Sequence, residues 1–133
     1  MADSAPSTIQ VFIVAVSETA GSALYGMVDV LSAAGTIWQT LVRTESNQPL
    51  FSVAIVSPDG SPFRCGNGIP VQPDLTIGKA TNAGIVILPE LWLGPDDHLH
   101  GCYPQLMDWI RKQYKQGATL YSACSGAIML AES

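Results

Sequence analysis

Along the chain, short apolar runs alternate with longer stretches in which apolar residues recur every three or four positions. Ile9 to Val16 is apolar on both sides of a period-two pattern except at Gln10, as a strand covered on both faces requires. From Ser22 the spacing changes to that of a helix. Leu24, Val28 and Leu31 share one stripe, and Ala34, Trp38 and Leu41 prolong it past a break at Gly35. Phe51 to Ser57 predicts a second strand, stopped by the turn sequence Pro58-Asp59-Gly60. Pro62 to Cys65 and Ile69 to Val71, joined through Gly66-Asn67-Gly68, predict a short, peripheral hairpin. A third strand is predicted over Ala83 to Leu88. A helix from Cys102 to Gln116 follows, with Tyr103, Leu106, Met107, Ile110 and Tyr114 on one face. Arg111, Lys112 and Lys115 fall in its last turns, where cations complement the helix dipole, and Gly117 ends it. A fourth strand, Ala118 to Ala123, runs directly into a helix start at Ser125 to Ala131. Strands alternating with helices predict an α/β fold with a mostly parallel sheet and right-handed crossovers.

The 133 residues, 47% hydrophobic and 13% charged, correspond to one globular domain, long enough to need neither disulfides nor a structural metal. Residues 1–8 are small and polar with Pro6 among them and are expected to form a disordered leader, so the domain is assigned to 9–133. The last predicted helix stops at Ser133 after about two turns, which predicts a sheet-and-helix layer left incomplete at the C-terminal end.

Eleven acidic against six basic residues give a net charge of −5, which argues against phosphate, nucleic acid or an anionic membrane as a direct partner of these residues. Neither Ile9 to Val16 nor Ile85 to Leu88 is long enough to span a bilayer, and no signal-like segment is evident, so the expected location is cytoplasmic. Cys65, Cys102 and Cys124 are odd in number and widely spaced, as reduced thiols would be.

The segment most suited to chemistry is Tyr121-Ser122-Ala123-Cys124-Ser125-Gly126, where a nucleophile among small residues joins a strand to a helix in the manner of a nucleophile elbow. Such a turn presents the thiol at the carboxyl end of the sheet near a helix N-terminus, with the Ser125 and Gly126 N–H groups facing the same spot as oxyanion donors. A small buried cysteine packing a strand end satisfies the same spacing. Glu18 and Glu90 follow the first and third strands, where open α/β sheets gather ligands, although either also suits a solvated loop. His98 and His100 in Asp96-Asp97-His98-Leu99-His100 lack a distant fourth ligand, so a polar loop rather than a metal site is expected there. Gly66-x-Gly68 opens no helix and reads as a turn, not a dinucleotide fingerprint.

Leu106 to Arg111 together with Gly117-Ala-Thr-Leu-Tyr-Ser-Ala-Cys-Ser-Gly-Ala-Ile-Met-Leu-Ala-Glu132 resembles the elbow region of the ThiJ/PfpI superfamily of class I glutamine-amidotransferase-like domains. Ser-x-Cys-x-Gly-Ala followed by Leu-Ala-Glu resembles above all the N-terminal domain of AraC-family transcriptional regulators. Asp29-Val30, Val56 to Gly60, the hairpin to Pro73-Asp74 and Ile85 to Pro89 follow in the family's order, so the resemblance extends over nearly all of the chain from Ile9.

The resemblance implies a flavodoxin-like three-layer sandwich, commonly dimeric, with a pocket at the elbow cysteine. Catalytic members pair that cysteine with an acid from the first helix and a Gly-Gly pair after the third strand. Here the matching positions are Ala23 and Glu90-Leu91, departures that favour sensing over catalysis. The expectation is therefore a non-catalytic ligand-sensing and dimerisation domain without a cofactor or metal. Cys124, Ser125, Gly126, Glu90, Leu91 and Glu18 line its pocket for a small-molecule effector, and DNA is bound only through a C-terminal helix-turn-helix region absent from this sequence. The alternatives are a stand-alone cysteine-dependent enzyme of the superfamily, acting through Cys124 on an isonitrile, a reactive carbonyl or an amide, and a pure interaction module.

Overall fold

A computed structural model describes residues 7–43 and 48–133. Most of the leader expected at 1–8 lies outside the described residues, but Thr8 is tied down, its hydroxyl donating to the Pro49 carbonyl at 3.2 Å.

The elements in chain order are β1 (Ile9–Val14), α1 (Gly21–Ala33), α2 (Ile37–Val42), β2 (Phe51–Ser57), β3 (Phe63–Arg64), β4 (Pro70–Val71), β5 (Leu75–Thr76), β6 (Ile85–Leu88), α3 (Pro104–Lys115), β7 (Thr119–Ser122) and α4 (Gly126–Glu132). Five strands form one sheet in the order β5-β2-β1-β6-β7, every neighbouring pair parallel. The order reverses at β1, which pairs with β2 on one side and β6 on the other, the doubly wound arrangement of a flavodoxin-like fold.

The alternating side chains of the central strand separate two cores. Phe12, Val14 and Val16 pack with Val86, Leu88, the α3 residues Leu106, Met107, Trp109 and Ile110, and Met129 of α4. Val11, Ile13 and Ala15 face the other way, towards Leu24 of α1, Ile55, Cys65 and Val71. Both faces are therefore apolar along β1, which explains its near-continuous hydrophobic run. Because Cys65 and Val71 belong to this second core, the β3–β4 hairpin is not peripheral as its sequence implies; it closes one side of the sandwich.

Other departures have local causes. On α3 the inward face carries Trp109 and Gln113 and leaves Tyr114 exposed. Trp109 tilts against Phe12 with 6.1 Å between ring centroids and donates its indole N–H to the Ala80 carbonyl, while the Gln113 side chain accepts from the Ala83 N–H. The Trp109 indole N–H and the Gln113 side-chain oxygen each meet a backbone partner, which permits their burial. Beyond Gly35, whose φ of +82° breaks the helix, the stripe continued by Trp38 and Leu41 is not buried: both side chains are exposed. Strand β5, two residues beside β2, is too short to leave a periodic signal.

Candidate functional site

The carboxyl ends of β1, β6 and β7 lie side by side, and three loops meet there. The first, after β1, is a tight turn held by fully buried Thr19: its Oγ1 accepts from the Val16 N–H at 2.9 Å, and its own N–H donates to the Val16 carbonyl at 3.0 Å. The second, after β6, runs antiparallel to it. The Ala20 N–H donates to the Glu90 carbonyl (2.8 Å) and the Trp92 N–H to the Glu18 carbonyl (2.6 Å). The third is the strand-to-helix turn after β7, where Cys124 adopts a left-handed φ of +51° and Gly126 begins α4.

That positive φ identifies the turn as a nucleophile elbow in geometry as well as sequence, since a non-glycine residue is held there only by its surroundings. Gly126 explains why: an added Cβ would be driven into the Leu88 and Pro89 carbonyl oxygens, so only glycine lets the turn lie this close to the end of β6. The Cys124 thiol is exposed, so this cysteine does not pack a strand end. The packed thiol is Cys65, where burial raises the pKa above 9.0, while Cys102 is exposed.

Of the six residues expected around a pocket, the turn of Cys124, Ser125 and Gly126 meets the loop of Glu90 and Leu91, but none of the six lines the main cavities of the described residues. Ser125 grips Leu91, its Oγ accepting from the Leu91 N–H at 2.8 Å while its hydroxyl donates to the Leu91 carbonyl at 2.7 Å. Glu18 joins through its backbone; its carboxylate turns to Tyr103, whose hydroxyl donates to Oε2 at 2.7 Å. Tyr103 is thereby held protonated: burial first, then the hydrogen bond and the negative charge of Glu18, push its pKa well above 10.0, against a smaller opposing hydrogen bond from Ser17. Tyr103 was legible in sequence only as a residue of a helix face.

Around the elbow, two of the N–H groups that oxyanion chemistry could use are engaged within the protein, while the Ser125 N–H, the other donor expected there, has no protein partner among the described residues. The Leu91 N–H is held by Ser125 and the Gly126 N–H donates to the Ala123 carbonyl at 2.9 Å. Ala23, at the position matched to an acid, lines an apolar cavity of about 560 Å³ between α1 and the β6–β7 face, together with Met27, Ile87 and Tyr121. Among the described residues, no hydrogen bond reaches the Cys124 thiol, and no group of three or more His, Cys, Asp or Glu side chains is placed to hold a metal ion. His100 instead pairs with Glu132 at 3.1 Å, and His98 is exposed.

No protein-family model matches the chain, and no curated protein matches it in sequence. Its fold is shared with solved structures. A candidate transcriptional regulator from Vibrio parahaemolyticus superposes with a TM-score of 0.72 at 21% identity, over 95% of this chain and 61% of that one. A ThiJ/PfpI family protein from Pseudomonas syringae gives 0.68 at 15% identity, over 95% and 46%. An AraC family transcriptional regulator from Pseudomonas putida gives 0.63 at 17% identity, over 94% and 70%. The flavodoxin-like α/β fold is thus that of DJ-1/ThiJ/PfpI-type structures, some of them from transcriptional regulators, and the chain spans less than two thirds of the Vibrio and P. syringae proteins.

Proposed function

We propose that this chain acts as the N-terminal ligand-sensing and dimerisation domain of an AraC-type transcriptional regulator in the cytoplasm, without turnover. One observation carries the non-catalytic part: the elbow is built, yet the Leu91 and Gly126 N–H groups are spent on the protein's own atoms and the acid position is Ala23. A thiol so placed can contact a ligand, but only the Ser125 N–H is left free beside it, where oxyanion stabilisation draws on a converging pair of donors. The regulator structures that share the fold support the regulatory part.

On this reading, a small-molecule effector sits against Cys124, Ser125, Gly126, Glu90, Leu91 and Glu18. It shifts the population between two arrangements of paired domains by no more than its differential affinity for them. DNA contact is assigned to a helix-turn-helix region outside these 133 residues, in keeping with the net charge of −5. Exposed Ile37, Trp38, Leu41 and Val42 on α2 offer an apolar surface suited to pairing.

The test is turnover. Purified protein and its Cys124→Ala variant are assayed with an alkyl isonitrile, a 2-oxoaldehyde and a primary amide. Equal background rates are expected; a rate abolished in the variant overturns the reading in favour of a cysteine-dependent enzyme.

A further inference from the structure

Among the described residues the sheet ends at β7, which pairs only with β6, in parallel, while the opposite edge, β5, is two residues long. The Thr119 N–H donates to the Gly84 carbonyl at 2.9 Å and the Ala123 N–H to the Leu88 carbonyl at 3.0 Å, both towards β6. Backbone groups alternate in direction along a strand. Tyr121 therefore also faces β6, and the N–H and C=O groups of Leu120 and Ser122 point away from the sheet. Sheet edges are commonly blunted by a charge, a proline or a bulge. From Gly117 to Gly126 the chain has no proline and no Lys, Arg, Asp or Glu.

Apolar surface flanks this edge on both faces. On one, Tyr121 and Val30, 55% and 71% exposed, share the cavity of about 560 Å³ with Met27 and Ile87. On the other, Leu120 lines a cavity of about 710 Å³ with Tyr114, Ala118 and Leu130. An extended polypeptide satisfies the backbone groups and covers the side chains at once.

The edge is complementary to itself. Two copies placed antiparallel about a twofold axis at Tyr121 bring Leu120 of each opposite Ser122 of the other. These are the residues whose groups point outward, so each pair exchanges both N–H···O bonds. Tyr121 meets its own copy at the non-hydrogen-bonded position, where Cα atoms approach to about 4.5 Å and aromatic pairs stabilise a sheet. Other registers fail. A one-residue slip sets outward groups against groups already spent on β6. A two-residue slip requires either Ala118, whose N–H is spent on the Gln113 carbonyl at 3.0 Å, or Cys124, which is left-handed at φ +51°.

We propose that two copies of this chain pair β7 to β7, antiparallel, and extend the sheet across a twofold axis at Tyr121. The pairing gives the dimerisation proposed for this domain its face, and rests on that proposal for its biological role.

The experiment is sedimentation equilibrium with amide hydrogen exchange over a dilution series of the 133-residue chain. A monomer–dimer equilibrium is expected. The Leu120 and Ser122 amides should be protected at high concentration and exchange freely on dilution, while the Tyr121 amide stays protected throughout. Tyr121→Lys sets like charges opposite each other and should weaken the dimer at least about tenfold. Mixing it with Tyr121→Glu should restore pairing, because opposite charges then face each other. A dimer that withstands Tyr121→Lys, a mixture that does not pair, or assembly beyond the dimer would each overturn the proposal. So would Leu120 and Ser122 amides protected at every dilution, since another segment would then hold the edge. A dimer broken instead by Trp38→Glu on α2 would keep the dimerisation and discard this interface, and a monomer at every concentration would discard both. Should a Tyr121 variant misfold, the exchange series on the original protein decides.

Discussion

Ser125 and Leu91 hold each other twice, through a serine hydroxyl that accepts from the Leu91 N–H and donates to the Leu91 carbonyl at 2.8 and 2.7 Å. A side chain on the elbow thus substitutes for a strand partner and fastens the post-β6 loop to the start of α4. Ser125→Ala deprives both backbone groups of this partner next to Leu91, which is 4% exposed. A loss of about 2 kcal/mol is expected, read as a lowered urea midpoint with unchanged slope.

Gly126→Ala should be more damaging. The added Cβ meets backbone oxygens of Leu88 and Pro89, which belong to the sheet and its end and cannot rotate away as a flexible side chain would. The variant is expected to lose on the order of 3 kcal/mol or more and to express mainly as insoluble protein. A soluble variant with the original thermal midpoint would show that β6 and α4 are less tightly opposed than this geometry requires.

The elbow and the sheet were legible because their constraints are local. A strand buried on both faces must be continuously apolar, as Val11 to Val16 is, and a tight strand-to-helix turn must have small residues around Cys124. The grip of Ser125 on Leu91 was not legible, because nothing at either position signals a partner 34 residues away. Nor was the inward turn of Trp109 and Gln113, which depends on the Ala80 carbonyl and the Ala83 N–H lying opposite α3. Nor was the role of Tyr103, since a helix flank acquires meaning only where the start of α3 meets Glu18 on the loop after β1.

The backbone at Cys124 offers a separate test. At φ +51° a side chain with a Cβ is disfavoured, and a β-branched one more so. Cys124→Gly is expected to raise stability by up to about 1 kcal/mol, whereas Cys124→Val should lower it by about 1–2 kcal/mol. Equal stabilities for the two variants, measured by urea denaturation, would mean that the turn relaxes.

The three thiols should separate by accessibility. Cys124 and Cys102 are exposed, while Cys65 is 4% exposed and holds its proton more tightly than an ordinary thiol. Iodoacetamide on the native protein should label Cys124 and Cys102 and spare Cys65, and all three should react in urea. Mass spectrometry of the peptides distinguishes the outcomes; early labelling of Cys65 would mean that the β3–β4 hairpin opens readily.

Alkaline pH should weaken the fold, and the sign follows from Tyr103. Its folded pKa lies above 10.0, chiefly through burial and then through the hydrogen bond to Glu18, whereas the unfolded phenol titrates near its ordinary value. The unfolded chain therefore loses the proton first, so stability is complete below pH 10.0 and declines as the pH rises towards the folded value. Cys65 acts in the same direction from about pH 9.0. Urea midpoints should accordingly fall between pH about 9 and 11. Tyr103→Phe forfeits the Glu18 hydrogen bond, at a cost of about 1 kcal/mol near neutrality, but removes the titrating phenol. Its stability should decline less steeply above pH 10.0 than that of the original protein, and parallel declines would show that the phenol is not held in its protonated form.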